Sequence, residues 1–352
     1  WHRVTGVQTC ALPICCENEV LGYTGKPDSY YNAIINWVKQ RYDLVVAKEM
    51  INFVPGIVPG IGMAMNCFTQ KGDKVMIQPP VYHPFAWVTT RNERTLVTNP
   101  LKWENGMYRM DLDTFREQIK GCKLFILCNP HNPGGVVWTE AELRAIADIC
   151  YDEKVLVFSD EIHADLTLPP HTHRPFATVS EKARMNSVTF MSPSKAFNMP
   201  GLSASHALIF NEDLRKRFRI YMDAGELDMG HVFAFLSVEA AYSHGTEWLD
   251  QCLAYIQGNI DFVDDFLKNH APKIKAIRPG ASYLVWLDCR ELKLSQKDLN
   301  EFFVDKAHLA LNDGEMFGKE GIGFMRLNVA SPRCIIEKAM KQLADAYQLY
   351  IK

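Results

Sequence analysis

Three short runs of unbroken apolar residues constrain this chain more than any other feature: "LFIL" (124–127), "VLVF" (155–158) and "VTF" (188–190). None of them alternates with polar residues. Each therefore predicts a strand buried on both faces, as in a mostly parallel sheet covered by helices. Between them lie helix-like segments. "TEAEL" (Thr139–Leu143) opens one with a threonine at the N-cap and Glu142 three residues on, the pattern of a capping box. Further strands are expected in "KVMIQPP" (74–80) and "SHALIF" (205–210). An amphipathic helix is expected in "SYYNAIINWVKQRY", where Tyr31, Ile34, Ile35, Val38 and Tyr42 recur at helical spacing.

At 352 residues the chain is longer than one growing core usually supports, so a second, smaller domain is expected. Residues from about His231 to His270 read as long helix. After Pro272 come two strand-like segments, "KIKAIRP" and "SYLVWLDC", and a last helix, "RCIIEKAMKQLADAYQLYI". The fold class expected is α/β, a mostly parallel sheet covered by helices, with a smaller C-terminal α+β domain. The large domain would span 16–250 and the small one 251–352. Residues 1–15 stand apart. "VTGVQTCALPI" (Val4 to Ile14) matches a translation of a common sequencing-library adapter, so this segment is expected to be foreign to the native chain. That takes Cys10, Cys15 and Cys16 out of any functional argument.

A net charge of −3 offers no electrostatic case for nucleic acid or an anionic membrane as partner. No apolar run approaches the ~18–20 residues that would span a bilayer. The ten cysteines form no C-x-x-C pair and no repeated spacing, which reads as reduced thiols and a cytoplasmic protein.

In open α/β sheets, ligands sit beyond the carboxyl ends of the strands. The polar residues that end the apolar runs are thus the candidates: Asn129 and Asn132, Asp160 and Glu161, and Ser192 to Lys195. A lysine at a partly desolvated strand end loses some preference for its charged form, which makes its amine a usable nucleophile. An aldehyde cofactor with a ring nitrogen for a nearby carboxylate fits both groups, and pyridoxal phosphate is such a cofactor. Its phosphate needs an anion cradle. "VPGIVPGIGMAMNCF" (54–68) supplies a Gly/Pro turn leading into a helix start, and Ser192 and Ser194 could add hydroxyl donors.

Taken together, "NPHNPGG", "SDEIHADL", "SPSKAFNMPGL" and "GFMRLNVASPR", in this order and spacing, resemble the fold-type I pyridoxal-phosphate enzymes of aminotransferase class I/II. "GYTGKPDSYYNAIINWV", "PPVYHPF" and "LNDGEMFGKEGIGFMRLN" make the chain similar to the MalY/PatB-type cystathionine β-lyases within that group, from about residue 17 onward. The resemblance implies that Lys195 carries pyridoxal 5′-phosphate as a Schiff base and shuttles the Cα proton. It implies that Asp160 pairs with the ring nitrogen, Asn132 bonds the phenolic oxygen and Tyr82 stacks on the ring. Ile57, Val58 and Ser192, with Ser194 beside them, would hold the phosphate. Tyr23 would reach the phosphate of a neighbouring subunit, which implies a homodimer. Arg326 would clamp the substrate carboxylate, a task suited to its planar fork. His163 stands where many aminotransferases place a tyrosine, as in the lyase branch, and is a cofactor neighbour or a core histidine. The family's aromatic-acidic opening segment over the site has no counterpart in this sequence.

The implied activity is a C–S β-lyase acting on L-cystathionine or related cysteine S-conjugates. A class I/II aminotransferase and a non-catalytic regulatory role are the alternatives. "HTH" (171–173) looks like a pair of metal ligands but lies in a Pro-rich loop with no cysteine or acidic partner beside it, so no metal is expected. The serines near Lys195 lack the G-x-S-x-G elbow of a hydrolase.

Overall fold

The computed structural model describes residues 22–351, and the adapter-like segment lies outside them. The three apolar runs form adjacent central strands, named here in chain order with their neighbours. The strands are β1 (Ile51–Val54), β2 (Lys74–Ile77), β3 (Thr95–Thr98), β4 (Lys102–Glu104), β5 (Met107–Arg109), β6 (Cys122–Cys128), β7 (Leu156–Asp160), β8 (Ser187–Met191) and β9 (Ser205–Leu208). The main sheet runs β1-β9-β8-β7-β6-β2-β3, while β4 and β5 pair separately. Its core, β3-β2-β6-β7-β8, is parallel throughout, and β9 and β1 close one side antiparallel. Every residue of β8 is buried, as are all but one of β6 and of β7. This double-sided burial is why β6 and β7 carry continuous apolar runs, while β8, Ser-Val-Thr-Phe-Met, buries Ser187 and Thr189 along with its apolar residues.

The helix Glu140–Asp152 begins with the capping box expected: Thr139 Oγ accepts from the Glu142 N–H, and the Glu142 carboxylate accepts from the Thr139 N–H. The first helix, Asp28–Tyr42, is rotated from the face read in the sequence. Tyr30, Ala33, Ile34, Trp37 and Val38 are its buried residues, while Tyr31, Ile35 and Tyr42 pack only partly against the core. The reason is Trp37. Its ring stacks on Tyr242 at 4.8 Å, and its Nε1–H donates to Asp165 Oδ1 at 2.9 Å. Tyr42 also donates to Asp165. A buried carboxylate with two donors fixes the helix on the loop that follows β7, which carries His163.

A second, four-stranded antiparallel sheet comprises β10 (Lys275–Ile277), β11 (Leu284–Asp288), β12 (Asn312–Asp313) and β13 (Phe324–Asn328), in the order β10-β11-β13-β12. The expected long helix is two, Val232–His244 and Thr246–His270, separated at Gly245. The second runs unbroken across residue 250. Its start, at Leu249, packs with the large sheet's cluster, and its end, Ile256 to Leu267, packs under the small sheet with the final helix Arg333–Ile351.

The two sheets are also joined through Gly135, just beyond β6. Its carbonyl accepts from the Gly280 and Ala281 N–H groups at 2.8 and 3.2 Å. Its φ is +65°, and a Cβ there would lie 2.4 Å from the Pro279 Cβ. A side chain at this position meets both backbone strain and a hard steric contact. Gly135→Ala is expected to destabilise the protein by about 2–4 kcal/mol. Denaturant unfolding measures this, and a loss within experimental error of zero would contradict the contact.

Candidate active site

The carboxyl ends of β6, β7 and β8 open into a cavity of about 460 Å³, closed from above by the small sheet. Its wall includes Ile57, Val58, Tyr82, Asn132, Asp160, His163, Ser194, Lys195 and Arg326, nine of the residues singled out from the sequence. They arrive from the turns after β1 and β2, from three adjacent strand ends and from β13. Register explains the meeting. Cys128 at the end of β6 pairs with Asp160 at the end of β7, and Asp160 pairs with Phe190 on β8.

Asp160 is buried, and its Oδ1 accepts from the Ile162 N–H at 3.1 Å. Burial raises its pKa to about 7. That backbone hydrogen bond and the Lys195 charge pull the other way, while Glu161 pushes it further up. Lys195 is half-buried. Burial first, then the Arg326 charge, bring its amine below the ordinary lysine range, against the opposing pull of Asp160. A lysine so placed is more readily neutral, the form needed for attack on an aldehyde and for taking a proton from carbon.

At the other end of the cavity the helix Ile57–Phe68 begins. Gly56 holds φ +147° before it, and no side chain caps it. The leading N–H groups of Ile57 and Val58 have no partner within the helix, and Pro59 has none to offer. These two donors suit a phosphate dianion. Ser194 lines the same cavity, as do Ser203 and Ser205, two serines with no signal in the sequence. Ser192 is not in the wall. Its hydroxyl lies 2.7 Å from the Ala204 carbonyl and 2.9 Å from Ser194 Oγ, and it accepts from the Ser194 N–H, so it braces the turn that carries Lys195.

Asn132 and Arg326 touch: Arg326 Nη1 donates to Asn132 Oδ1 at 2.9 Å. The Asn132 carbonyl is thereby used, and its amide N–H₂ remains as a donor toward the cavity. His163 is buried with Nδ1 unpartnered, edge-on to Tyr283. Burial, with the Lys195 and Arg326 charges, drives its pKa down to about 3, so it is a neutral imidazole. Tyr82 is half-buried, and burial raises its phenol pKa. Tyr23 is 99% exposed and takes no part in the cavity of its own chain.

Sequence reasoning did not single out His83, Tyr283, Asn312 and Asn328, which also line the cavity. Asn328 had a signal: it follows Arg326 by two on β13, so strand alternation puts both on one face. His173 of the "HTH" stretch is buried and meets the carboxylate of Glu161 at 2.8 Å, a partner the loop's own sequence did not reveal. Among the described residues no cluster of His, Cys, Asp or Glu is suited to a metal ion.

The cavity thus holds an amine able to condense with an aldehyde, a carboxylate for a protonated ring nitrogen, a helix start for an anion and an arginine for a carboxylate. Residues 17–343 match the family described as aminotransferase class I and II. The chain belongs to that family. It is similar to the cystathionine beta-lyase PatB of Bacillus subtilis, 37% identical over 340 residues that make up 96% of this chain and 88% of that protein. Among solved structures it resembles cystalysin from Treponema denticola, which contains a pyridoxal 5′-phosphate cofactor. That match has a TM-score of 0.96 and 34% identity, covering 99% of this chain and 89% of the other. It also resembles the PLP-bound C–S lyase from Staphylococcus hominis, with a TM-score of 0.90, 32% identity and coverage of 97% and 88%.

The raised pKa of Asp160 has a consequence for stability. Between about pH 4 and pH 7 the folded, cofactor-free protein keeps a proton that the unfolded chain has released, so stability falls as pH rises through that window. In cofactor-free protein, Asp160→Asn is expected to raise stability by roughly 2–4 kcal/mol above pH 7, with the gain shrinking to nothing near pH 4. Thermal or denaturant unfolding across this range checks it. A loss at pH 8, or a gain independent of pH, would contradict the burial argument.

Proposed function

We propose that the protein is a pyridoxal-phosphate-dependent carbon–sulfur β-lyase acting on L-cystathionine or related cysteine S-conjugates, yielding pyruvate, ammonia and a thiol. The observation that carries this reading is the single cavity in which Lys195, its pKa depressed, shares a wall with buried Asp160 and with Arg326. The relatives named cystathionine beta-lyase and C–S lyase support the choice of reaction on this scaffold.

The residues fit the cofactor. The N–H groups of Ile57 and Val58, with Ser194 and Ser205, would hold its phosphate. Asp160 would hold a proton on the ring nitrogen, Asn132 Nδ2 would donate to the phenolic oxygen, and Tyr82 would cover one face. His163, neutral, would lie beside it without adding charge. Bound there, pyridoxal phosphate supplies an electron-accepting ring that stabilises the carbanion formed at the substrate's Cα. Arg326 receives the substrate's α-carboxylate and so fixes which Cα bond faces Lys195. Lys195 Nζ, in its neutral form, would accept the Cα proton. The electron pair left at Cα would form the Cα–Cβ double bond as the Cβ–S bond breaks and the thiolate leaves, and water adding to the imine tautomer of the remaining enamine would give pyruvate and ammonia.

Tyr23 projects from the chain that bears it, which supports a homodimer in which it completes the phosphate end of the partner's site. Cys67, Cys122, Cys128, Cys150, Cys252, Cys289 and Cys334 are all free thiols, which supports a reducing compartment, the cytoplasm.

Incubation with L-cystathionine and no keto acid is expected to release pyruvate and homocysteine in equal amounts. Turnover only after a keto acid is added would instead identify an aminotransferase. Lys195→Ala is expected to lose this activity and the visible absorbance of lysine-bound cofactor while keeping its far-UV circular dichroism. Survival of that absorbance would refute the role of Lys195.

A further inference from the structure

We propose that Asn312 is a positioning residue for the Arg326 guanidinium, and that two neutral amides on this fork, Asn132 and Asn312, tune the site for substrates bearing a free α-carboxylate. The inference rests on the reading that Arg326 receives that carboxylate.

Three contacts define the fork. The Phe317 ring lies 4.7 Å from the Arg326 Cζ and sets the plane of the guanidinium. Nη1 donates to Asn132 Oδ1 at 2.9 Å, and Nη2 donates to Asn312 Oδ1 at 2.7 Å. Nε is buried with no partner, so no other hydrogen bond fixes the rotation of the group within its plane. A guanidinium has five N–H bonds. One on each terminal nitrogen is spent on an asparagine, and one on each remains. Two N–H bonds on adjacent nitrogens are what a bidentate carboxylate takes.

The chemistry of the two acceptors matters as much as their position. An amide oxygen orients the fork but leaves its positive charge in place for the substrate. A carboxylate at the same point would orient it more strongly and cancel the charge. Asn132 comes from the large sheet and Asn312 from the small one, so the fork is held from both sides.

Asn312 is itself well placed to impose direction. It lies opposite Arg326 in the β12–β13 register. Its neighbour Asp313 is anchored by Gln296 Nε2 at 2.6 Å, Asn300 Nδ2 at 2.5 Å and the Glu315 N–H at 2.8 Å. Phe317, four residues beyond Asp313, accepts from the Val81 N–H through its carbonyl at 2.9 Å. The segment 312–317 thus spans from the small sheet to the turn carrying Tyr82, and Arg326 is seated within that span.

The test titrates the cofactor-loaded enzyme with L-alanine, which has an α-carboxylate but no β leaving group, and follows the visible absorbance of the bound cofactor. L-Alaninamide, whose carboxylate is replaced by a neutral amide, serves as the control ligand. Asn312→Ala is expected to weaken L-alanine binding about three- to tenfold, the worth of one hydrogen bond. Asn312→Asp is expected to weaken it more, by about tenfold or beyond, although aspartate bonds arginine better. Binding of L-alaninamide should change less than about twofold in either variant. With L-cystathionine the loss should fall on KM rather than kcat.

Equal losses for both ligands, or wild-type affinity for L-alanine in Asn312→Asp, would overturn the assignment. A wild-type enzyme that binds L-alanine no more tightly than L-alaninamide would bring down the underlying reading of Arg326 instead, and this inference with it.

Discussion

The parallel register of β6, β7 and β8 is the constraint on which the rest of the site depends. Because Cys128, Asp160 and Phe190 are cross-strand neighbours, the three chains leave the sheet level with one another. The segment after each strand must then turn at the same height, and those turns bring Asn132, the loop to His163 and Lys195 to one place. Shifting one strand by two residues would move its polar end by about 7 Å along the sheet, beyond hydrogen-bonding reach of the others. The side chains of these strands are packed on both faces, so a shift in register would also displace core residues from their neighbours, and packing of the core and geometry of the site are one requirement.

Within that frame the charges are placed to oppose one another rather than to neutralise in pairs. Lys195 makes no ion pair among the described residues, although the Asp160 carboxylate pulls its pKa upward. Burial and the Arg326 charge outweigh that pull and leave the amine depressed. Asp160, for its part, is raised chiefly by burial and gains back only part of the penalty from the Ile162 N–H. Each group is therefore held in an unfavourable state that a ligand of opposite charge would relieve; in the proposed reading these are a protonated ring nitrogen for Asp160 and a carboxylate for Arg326. That is how a folded scaffold stores affinity for a cofactor and substrate it has yet to bind.

The same division decides how much of the site was legible in the sequence. Lys195, Asp160 and Asn132 could be found because each stands within a few residues of an apolar run whose end is visible locally, and Ile57 and Val58 because a Gly/Pro turn announces a helix start. His83 stands next to Tyr82 and could have been read with it, whereas Tyr283 and Asn312 could not, since the cavity that small-sheet residues meet is not decided by their neighbours in sequence. Their places are set by docking of the small sheet, through contacts such as that of Gly135 with residues 279–281. Ser192 shows the limit in the other direction. Its position beside Lys195 was plain, but the side to which a hydroxyl turns depends on Ala204, twelve residues away. The amphipathic face of the first helix was read one step off because the strongest anchor, Trp37, is decided by a distant carboxylate, Asp165.

The pair Glu161–His173 bears on Asp160 as directly as the cavity does. Consecutive residues at a strand end point to opposite sides, so Asp160 faces the cavity while Glu161 turns into the core. A second buried carboxylate this close raises the cost of ionising the first, and it does push the Asp160 pKa upward. The protein meets the demand of Glu161 by surrounding it: the Ser159 hydroxyl and the Phe176 N–H donate to Oε1, and His173 Nε2 meets Oε2, each at 2.8 Å. Every donor comes from β7 itself or from the loop at 173–176. The loop that looked like a metal-binding motif is thus tied to the carboxylate behind Asp160. With Glu161 anchored on the core side of the strand end, Asp160 is left on the cavity side, where it forms part of the wall.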